Sequence, residues 1–157
     1  MPKIELEITV KAPIERVFDL ARCIDLHADS MNKYREKAVE GATKGLINSG
    51  ESVTWEAVHF GFTQRLTSRI TEFDRPRHFQ DAMVRGAFKS FTHDHFISES
   101  GEETLMRDVF VYESPLGFLG RAADKIFLEN YMRKVLRERN ELIKNVAESD
   151  NWRKYLP

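Results

Sequence analysis

The stretch FTHDHF places His93 and His95 at alternate positions in a run of alternating hydrophobicity. On a β-strand a period of two turns both imidazoles to one face, together with Phe91 and Ile97. An imidazole titrates near neutrality, donates and accepts hydrogen bonds, and ligates metals. Four chemistries fit the pattern. Paired with carboxylates of neighbouring strands, the rings make a satisfied structural network. Surrounded by apolar walls, they are the polar end of a ligand cavity. With an Asp, His-x-His supplies three ligands to a metal ion. A His–Asp pair lining a cavity is a general base tuned near neutrality. No nucleophile motif, phosphate loop or cofactor fingerprint accompanies the pair.

The same alternation, carried along the neighbouring runs, selects what shares this face. His59, Asp81, Asp108 and Tyr112 join the two histidines as its polar members, and Trp55, Phe79, Met83, Phe91, Met106 and Phe110 are its apolar ones. An unpaired buried charge is costly, so these polar groups must pair or reach cavity water. His93 beside Asp81 or Asp108 is the expected pair.

The elements that position them follow from periodicity. Ile4, Leu6, Ile8 and Val10 alternate with Glu5, Glu7 and Thr9, which predicts a half-buried strand. Pro13 suits the first turn of a helix, and Ile14, Val17, Phe18 and Ala21 follow at helical spacing. A second short helix is expected over Leu26 to Tyr34 with Asp25 as its N-cap. Strands are expected over Glu36 to Thr43, Glu51 to Phe60, Phe62 to Phe73, His78 to Val84, Ser90 to Ser98 and Thr104 to Tyr112. Phe62, Gln64, Leu66, Ser68 and Ile70 share one face of the third of these. Asp74-Arg75-Pro76 makes a turn, and Gly86 a bend or bulge. One long helix is expected from Phe118 to Ala147. Its apolar stripe comprises Leu119, Ala123, Ile126, Phe127, Tyr131, Val135, Leu142 and Val146. Consecutive strands joined by short turns make an antiparallel sheet, and the long helix must bury its stripe against one face of it. A bent sheet around one helix leaves a gap that suits a ligand.

Bulk properties narrow the partners. A chain of 157 residues with 11 phenylalanines builds one domain with a core, expected over 1–148 with a tail over 149–157. The formal net charge is −1 with both signs interspersed, which speaks against a nucleic-acid face. The single Cys23 excludes a disulfide framework and a cysteine-rich zinc site. MPKIELEITV is patterned as a strand and not as a signal peptide, and no run reaches the roughly 20 apolar residues of a membrane span. A soluble cytoplasmic protein is the expectation.

Three segments carry a resemblance. KAPIERVFDLARCIDLH, FDRPRHFQDAMVRGAFKSFTHDHF and TLMRDVFVYESPLGFLG resemble the first strand-to-helix joint, the mid-sheet signature and the last-strand exit of bacterial members of the START-like, or SRPBCC, superfamily. That superfamily includes polyketide cyclases, birch-pollen allergens and coenzyme-Q-binding proteins. Phe91 stands where the family usually has Trp. The resemblance implies an α+β helix-grip fold, with a curved antiparallel sheet of six or seven strands around a long C-terminal helix and two short helices after the first strand. It also implies a hydrophobic or amphipathic ligand such as a lipid, quinone, isoprenoid or polyketide. It speaks against a metal at His-x-His and implies no cofactor. Phe127 and Tyr131 of the helix and the sheet aromatics would supply apolar walls, and His59, Asp81, His93, His95, Asp108 and Tyr112 the polar recognition. Two rival functions stay open: a cyclase or dehydratase using a His–Asp pair, and a protein-interaction module without a ligand.

Smaller features have plainer readings. Cys23 is expected to be a buried small residue, and Met31 and Met132 core or cavity lining. The run Arg133, Lys134, Arg137 and Arg139 reads as the solvated side of the helix. Trp152, Tyr155 and Leu156 fold back on the body, meet a partner chain, or fray. A homodimer is compatible with the second of these.

Overall fold

Alternation in the first ten residues produces strand β1 (Lys3–Val10), with Ile4 and Val10 fully buried. The computed structural model describes residues 1–114 and 127–157. Pro13, extended at φ −61° and ψ 147°, stops β1 and caps helix α1 (Ile14–Ala21), which buries Ile14, Val17, Phe18, Leu20 and Ala21. Helix α2 (Ile24–Ser30) follows, and a 3-10 turn covers Asn32–Tyr34. The expected N-cap is displaced, because Cys23 holds that position and Asp25 lies in the first turn. The Asp25 carboxylate instead accepts the Gly45 N–H at 2.9 Å, fastening the loop before the sheet.

Six strands then run as a meander: β2 (Lys37–Gly41), β3 (Ser52–His59), β4 (Phe62–Asp74), β5 (His78–Arg85), β6 (Ser90–Ser100) and β7 (Glu103–Glu113). The sheet is seven-stranded and antiparallel in the order β1-β7-β6-β5-β4-β3-β2, so the first strand closes on the last. Two register shifts in β4, near Thr67 and Ile70, bend the sheet. Gly41, at φ +76°, is required, because a Cβ there would lie 2.2 Å from the Ser52 carbonyl oxygen.

The described part of the C-terminal helix is α3 (Glu129–Ala147). It contacts β1, α1 and α2 and closes the concave face of the sheet, as the helix-grip expectation requires. Leu119, Ala123 and Ile126 of the expected stripe lie outside the described residues. The buried face of α3 is Val135, Leu136, Arg139, Asn140, Ile143, Val146 and Ala147, with Leu142 half-buried. Arg139 is therefore a correction: it is 5% exposed and not on the solvated side. Its guanidinium donates to the carbonyl of Ala21, the last residue of α1, at 2.9 Å, where a cation also complements the helix dipole.

The last residues fold back. Trp152, Tyr155 and Leu156 pack on the main core, Arg16 stacks 4.3 Å above Trp152, and the Tyr155 hydroxyl donates to Asp29 at 2.6 Å.

Candidate functional site

Register brings the polar residues together. Asp81 pairs with His93 across β5 and β6, and His95 pairs with Asp108 across β6 and β7. Side chains of paired residues share a face, so two carboxylates flank two imidazoles whose centroids are 3.9 Å apart and whose planes are tilted by 34°. Asp108 Oδ1 lies 3.2 Å from His93 Nε2 and 3.0 Å from His95 Nδ1, the second contact off the hydrogen-bonding direction. Asp81 Oδ1 lies 2.9 Å from His95 Nε2 and 4.0 Å from His93 Nδ1. From the helix, Asn140 Nδ2 donates to Asp108 Oδ2 at 2.5 Å, and an Arg139 nitrogen lies 4.0 Å from Asp108 Oδ1.

This arrangement sets the charges. Burial works to raise the Asp108 carboxyl, yet hydrogen bonds and charge from His93 and His95 hold it well below the usual carboxylate range. Asp81 is lowered in the same way, with His95 again outweighing burial. For His95, burial favours the neutral ring, but the adjoining carboxylates of Asp108 and Asp81 prevail and raise its pKa. Burial, aided by the neighbouring His95 charge, lowers that of His93. The two carboxylates thus favour the charged form of His95, and burial favours the neutral form of His93 beside it. Asp81, His93 and His95 each place one potential metal-ligand atom within 4.8 Å of the others.

Above this network lies a cavity of about 530 Å³ between sheet and helix. Its walls are mainly Trp55, Ala57, Leu66, Phe88, Phe91 and Phe110 of the sheet side and Leu128, Met132, Val135 and Leu136 of the helix side. Asp81, His93, Arg139 and Ser68 form its inner end, shared with a smaller cavity of about 100 Å³ that also reaches His95 and Phe79. At the mouth, His59 Nδ1 and the Tyr131 hydroxyl are 2.6 Å apart, with the Tyr34 ring centroid 5.0 Å from that of His59. Burial lowers the His59 pKa and raises that of Tyr131. His27 and Glu36 meet at 2.6 Å on the same wall.

Of the residues expected to face a ligand, His59, Asp81, His93, Trp55, Phe91, Phe110, Phe127 and Tyr131 line the larger cavity. Phe79 and His95 reach the smaller one, stacked at 4.1 Å. Asp108, Met106 and Tyr112 are fully buried behind the lining, and Met83 is half-buried beside it. Gln64 and Ser68 line the cavity as their alternation implied, whereas Phe62, at the hairpin tip, is 71% exposed. Met31 and Met132 are both wall residues.

Arg139, Asn140, Glu36 and His27 were missed as site residues. A signal existed for the first two. Val135, Arg139, Ile143 and Val146 are spaced by four, four and three, as are Met132, Leu136, Asn140 and Ile143, so both polar residues sit within the buried stripe.

The family model described as polyketide cyclase / dehydrase and lipid transport matches residues 1–148. No curated protein matches the sequence. Among solved structures, TTHA0849 from Thermus thermophilus is similar with a TM-score of 0.74 at 18% identity, covering 92% of this chain and 95% of that one. Ginseng major latex-like protein 151 from Panax ginseng gives 0.70 at 17% identity, covering 94% and 98%. CV1439 from Chromobacterium violaceum gives 0.69 at 14%, covering 94% and 98%. At these identities the likeness is one of fold.

Proposed function

Because the chain belongs to the polyketide cyclase / dehydrase and lipid transport family, we propose that it binds a hydrophobic or amphipathic small molecule between its sheet and its C-terminal helix. The observation that carries this reading is the cavity of about 530 Å³. Small-molecule pockets span roughly 300–1,000 Å³, with apolar walls and a few convergent polar groups. Here aromatic and aliphatic side chains form the walls, and Asp81, His93 and Arg139 converge at one end. A lipid, quinone, isoprenoid or polyketide-like body suits such walls. Among the described residues no helix is long and apolar enough to cross a membrane.

Native mass spectrometry of protein taken from its own cells tests this reading. A co-purified apolar molecule is expected, and it should be absent from Ala57→Trp, which fills the cavity from its β3 wall. Wild-type protein that carries no such molecule and binds none from a lipid extract would contradict it.

One observation favours a second reading. His93 is held neutral on the cavity wall with Asp108 behind it, the arrangement of an oriented general base. A cyclisation or dehydration whose kcat, with KM unchanged, is lost in His93→Gln would establish that role. The interaction-module reading needs a collapsed cavity, and the fold has an open one.

A further inference from the structure

The hydrogen-bonding polarity of the inner end restricts the ligand further. An ionised carboxylate only accepts hydrogen bonds, so the nitrogen that His93 turns to Asp108, Nε2 at 3.2 Å, carries the proton. We infer that His95 is the protonated ring, because Nε2 donates to Asp81 at 2.9 Å and a bare Nδ1 lone pair would be repelled by the Asp108 carboxylate 3.0 Å away. A second positive ring with its centroid 3.9 Å away would be repelled, which favours a neutral His93. Its other nitrogen, Nδ1, is then a bare lone pair, 4.0 Å from Asp81 Oδ1. The burial-lowered pKa of His93 agrees with this tautomer.

Both acceptors belong to residues that line the two cavities. The cation beside them is held by two bonds of its own. Arg139 directs Nη2 to the Ala21 carbonyl at 2.9 Å and Nη1 to Asn140 Oδ1 at 3.2 Å. Asp81, Asp108, His95 and Arg139 together sum to no net charge, so an added carboxylate would be buried against Asp81 without compensation. A protonated amine would be desolvated for a region that is already neutral. A hydroxyl satisfies the acceptors and adds no charge.

We propose, resting on the ligand-binding reading above, that the inner end selects an apolar ligand whose head is a neutral hydroxyl, a phenol or an alcohol, donating to Asp81 or to His93 Nδ1, and that it rejects ligands ending in a carboxylate or a bare ether. Asp81 is its specificity-determining residue. The aromatic walls (Trp55, Phe88, Phe91, Phe110) favour a flat body behind that hydroxyl.

Three probes with one fluorescent body test this at neutral pH: 1-hydroxypyrene, 1-methoxypyrene and 1-pyrenecarboxylate, each titrated into the wild-type chain with a chelator present. The hydroxyl compound is expected to bind at least about tenfold more tightly than either other compound, the margin of a hydrogen bond to a charged acceptor. In Asp81→Asn, which keeps the volume but adds an amide donor, the gap between hydroxyl and ether should shrink to about threefold or less. Equal affinity of ether and hydroxyl in the wild type, or tightest binding of the carboxylate, overturns the proposal while leaving the cavity reading standing. Saturable binding of none of the three removes the cavity reading itself, and the proposal with it. If Asp81→Asn does not fold, the wild-type comparison alone decides.

Discussion

Asn140 reaches across from the C-terminal helix and donates Nδ2 to Asp108 Oδ2 at 2.5 Å, with both residues almost wholly buried. Helix and last strand are therefore joined at the point where the cavity ends. The bond also engages the second oxygen of a carboxylate whose first oxygen bonds His93 and lies 3.0 Å from His95.

Removing one member of that group strands the rest. Asp108→Ala leaves the buried His93 Nε2 and Asn140 Nδ2 donors without an acceptor and removes one of the two carboxylates beside His95, and is expected to destabilise the protein by about 3–5 kcal/mol. Asn140→Ala removes a neutral donor and should cost about 1–3 kcal/mol. Lys89→Ala, which loses an exposed pair with Glu113 at 3.1 Å, should stay within about 0.5 kcal/mol. Denaturant unfolding of the three variants checks the order, and equal effects would refute the buried placement of Asp108.

Arg139 and Arg137 are neighbours on one helix with opposite environments, the first buried and the second exposed. Arg139→Leu leaves the Ala21 carbonyl at the end of α1 unpaired, for a loss of about 1–3 kcal/mol. Arg137→Ala should have almost none. Arg139→Lys should recover only part of the loss, because one ammonium cannot copy the two-pronged contact to Ala21 and Asn140. Thermal unfolding of the three variants reads this directly.

Phe60 occupies the first position of the two-residue turn between β3 and β4, at φ 54° beside Gly61 at φ 79°. Such turns favour Asn, Asp or Gly there, so a phenylalanine is costly on backbone grounds. Its ring, 51% exposed, lies 4.7 Å from Tyr131 and 5.5 Å from Phe127 at the cavity mouth. Phe60→Asn is expected to leave stability unchanged or higher while weakening binding of 1-hydroxypyrene by about tenfold, the worth of a large apolar contact. Unchanged affinity would remove Phe60 from the site.

His59 gives a pH signature. Burial lowers its folded-state pKa, partly offset by the charge of Glu36, while Tyr131 and Tyr34 pack against the ring. The unfolded chain then binds the proton more readily, so no penalty exists above the ordinary value near 6.5. As pH falls below about 6.5 towards the folded value, stability is lost. His59→Gln should lose less over that window, as measured by urea unfolding at pH 7 and pH 5. Identical losses in the two proteins would show that His59 does not titrate on unfolding.

Much of this was legible in the sequence, and the rest has physical reasons. Period-two runs located β3, β5, β6 and β7 and the face shared by Asp81, His93, His95 and Asp108, because alternation follows from the pleat alone. Which carboxylate serves which ring was not legible. It depends on register, and both observed bonds, His93 to Asp108 and His95 to Asp81, run diagonally between strands and not directly across. Arg139 was misplaced because a charged residue in an apolar stripe reads as an interruption, and its partner, the Ala21 carbonyl, is a backbone group with no sequence signature. Phe62 follows the alternation of its strand, yet it lies at the hairpin tip, where its side chain is exposed.

The central claim is that a ligand occupies the space between sheet and helix, and methyl NMR tests it most directly. With the five methionines labelled at Cε, 1-hydroxypyrene is added to saturation. Met31 and Met132 line the cavity, whereas Met106 is fully buried in the core and Met1 is exposed. Ring-current shifts of the Met31 and Met132 methyls, with Met106 and Met1 unmoved, are the result expected. Shifts confined to Met1, or none at any methyl, would contradict it.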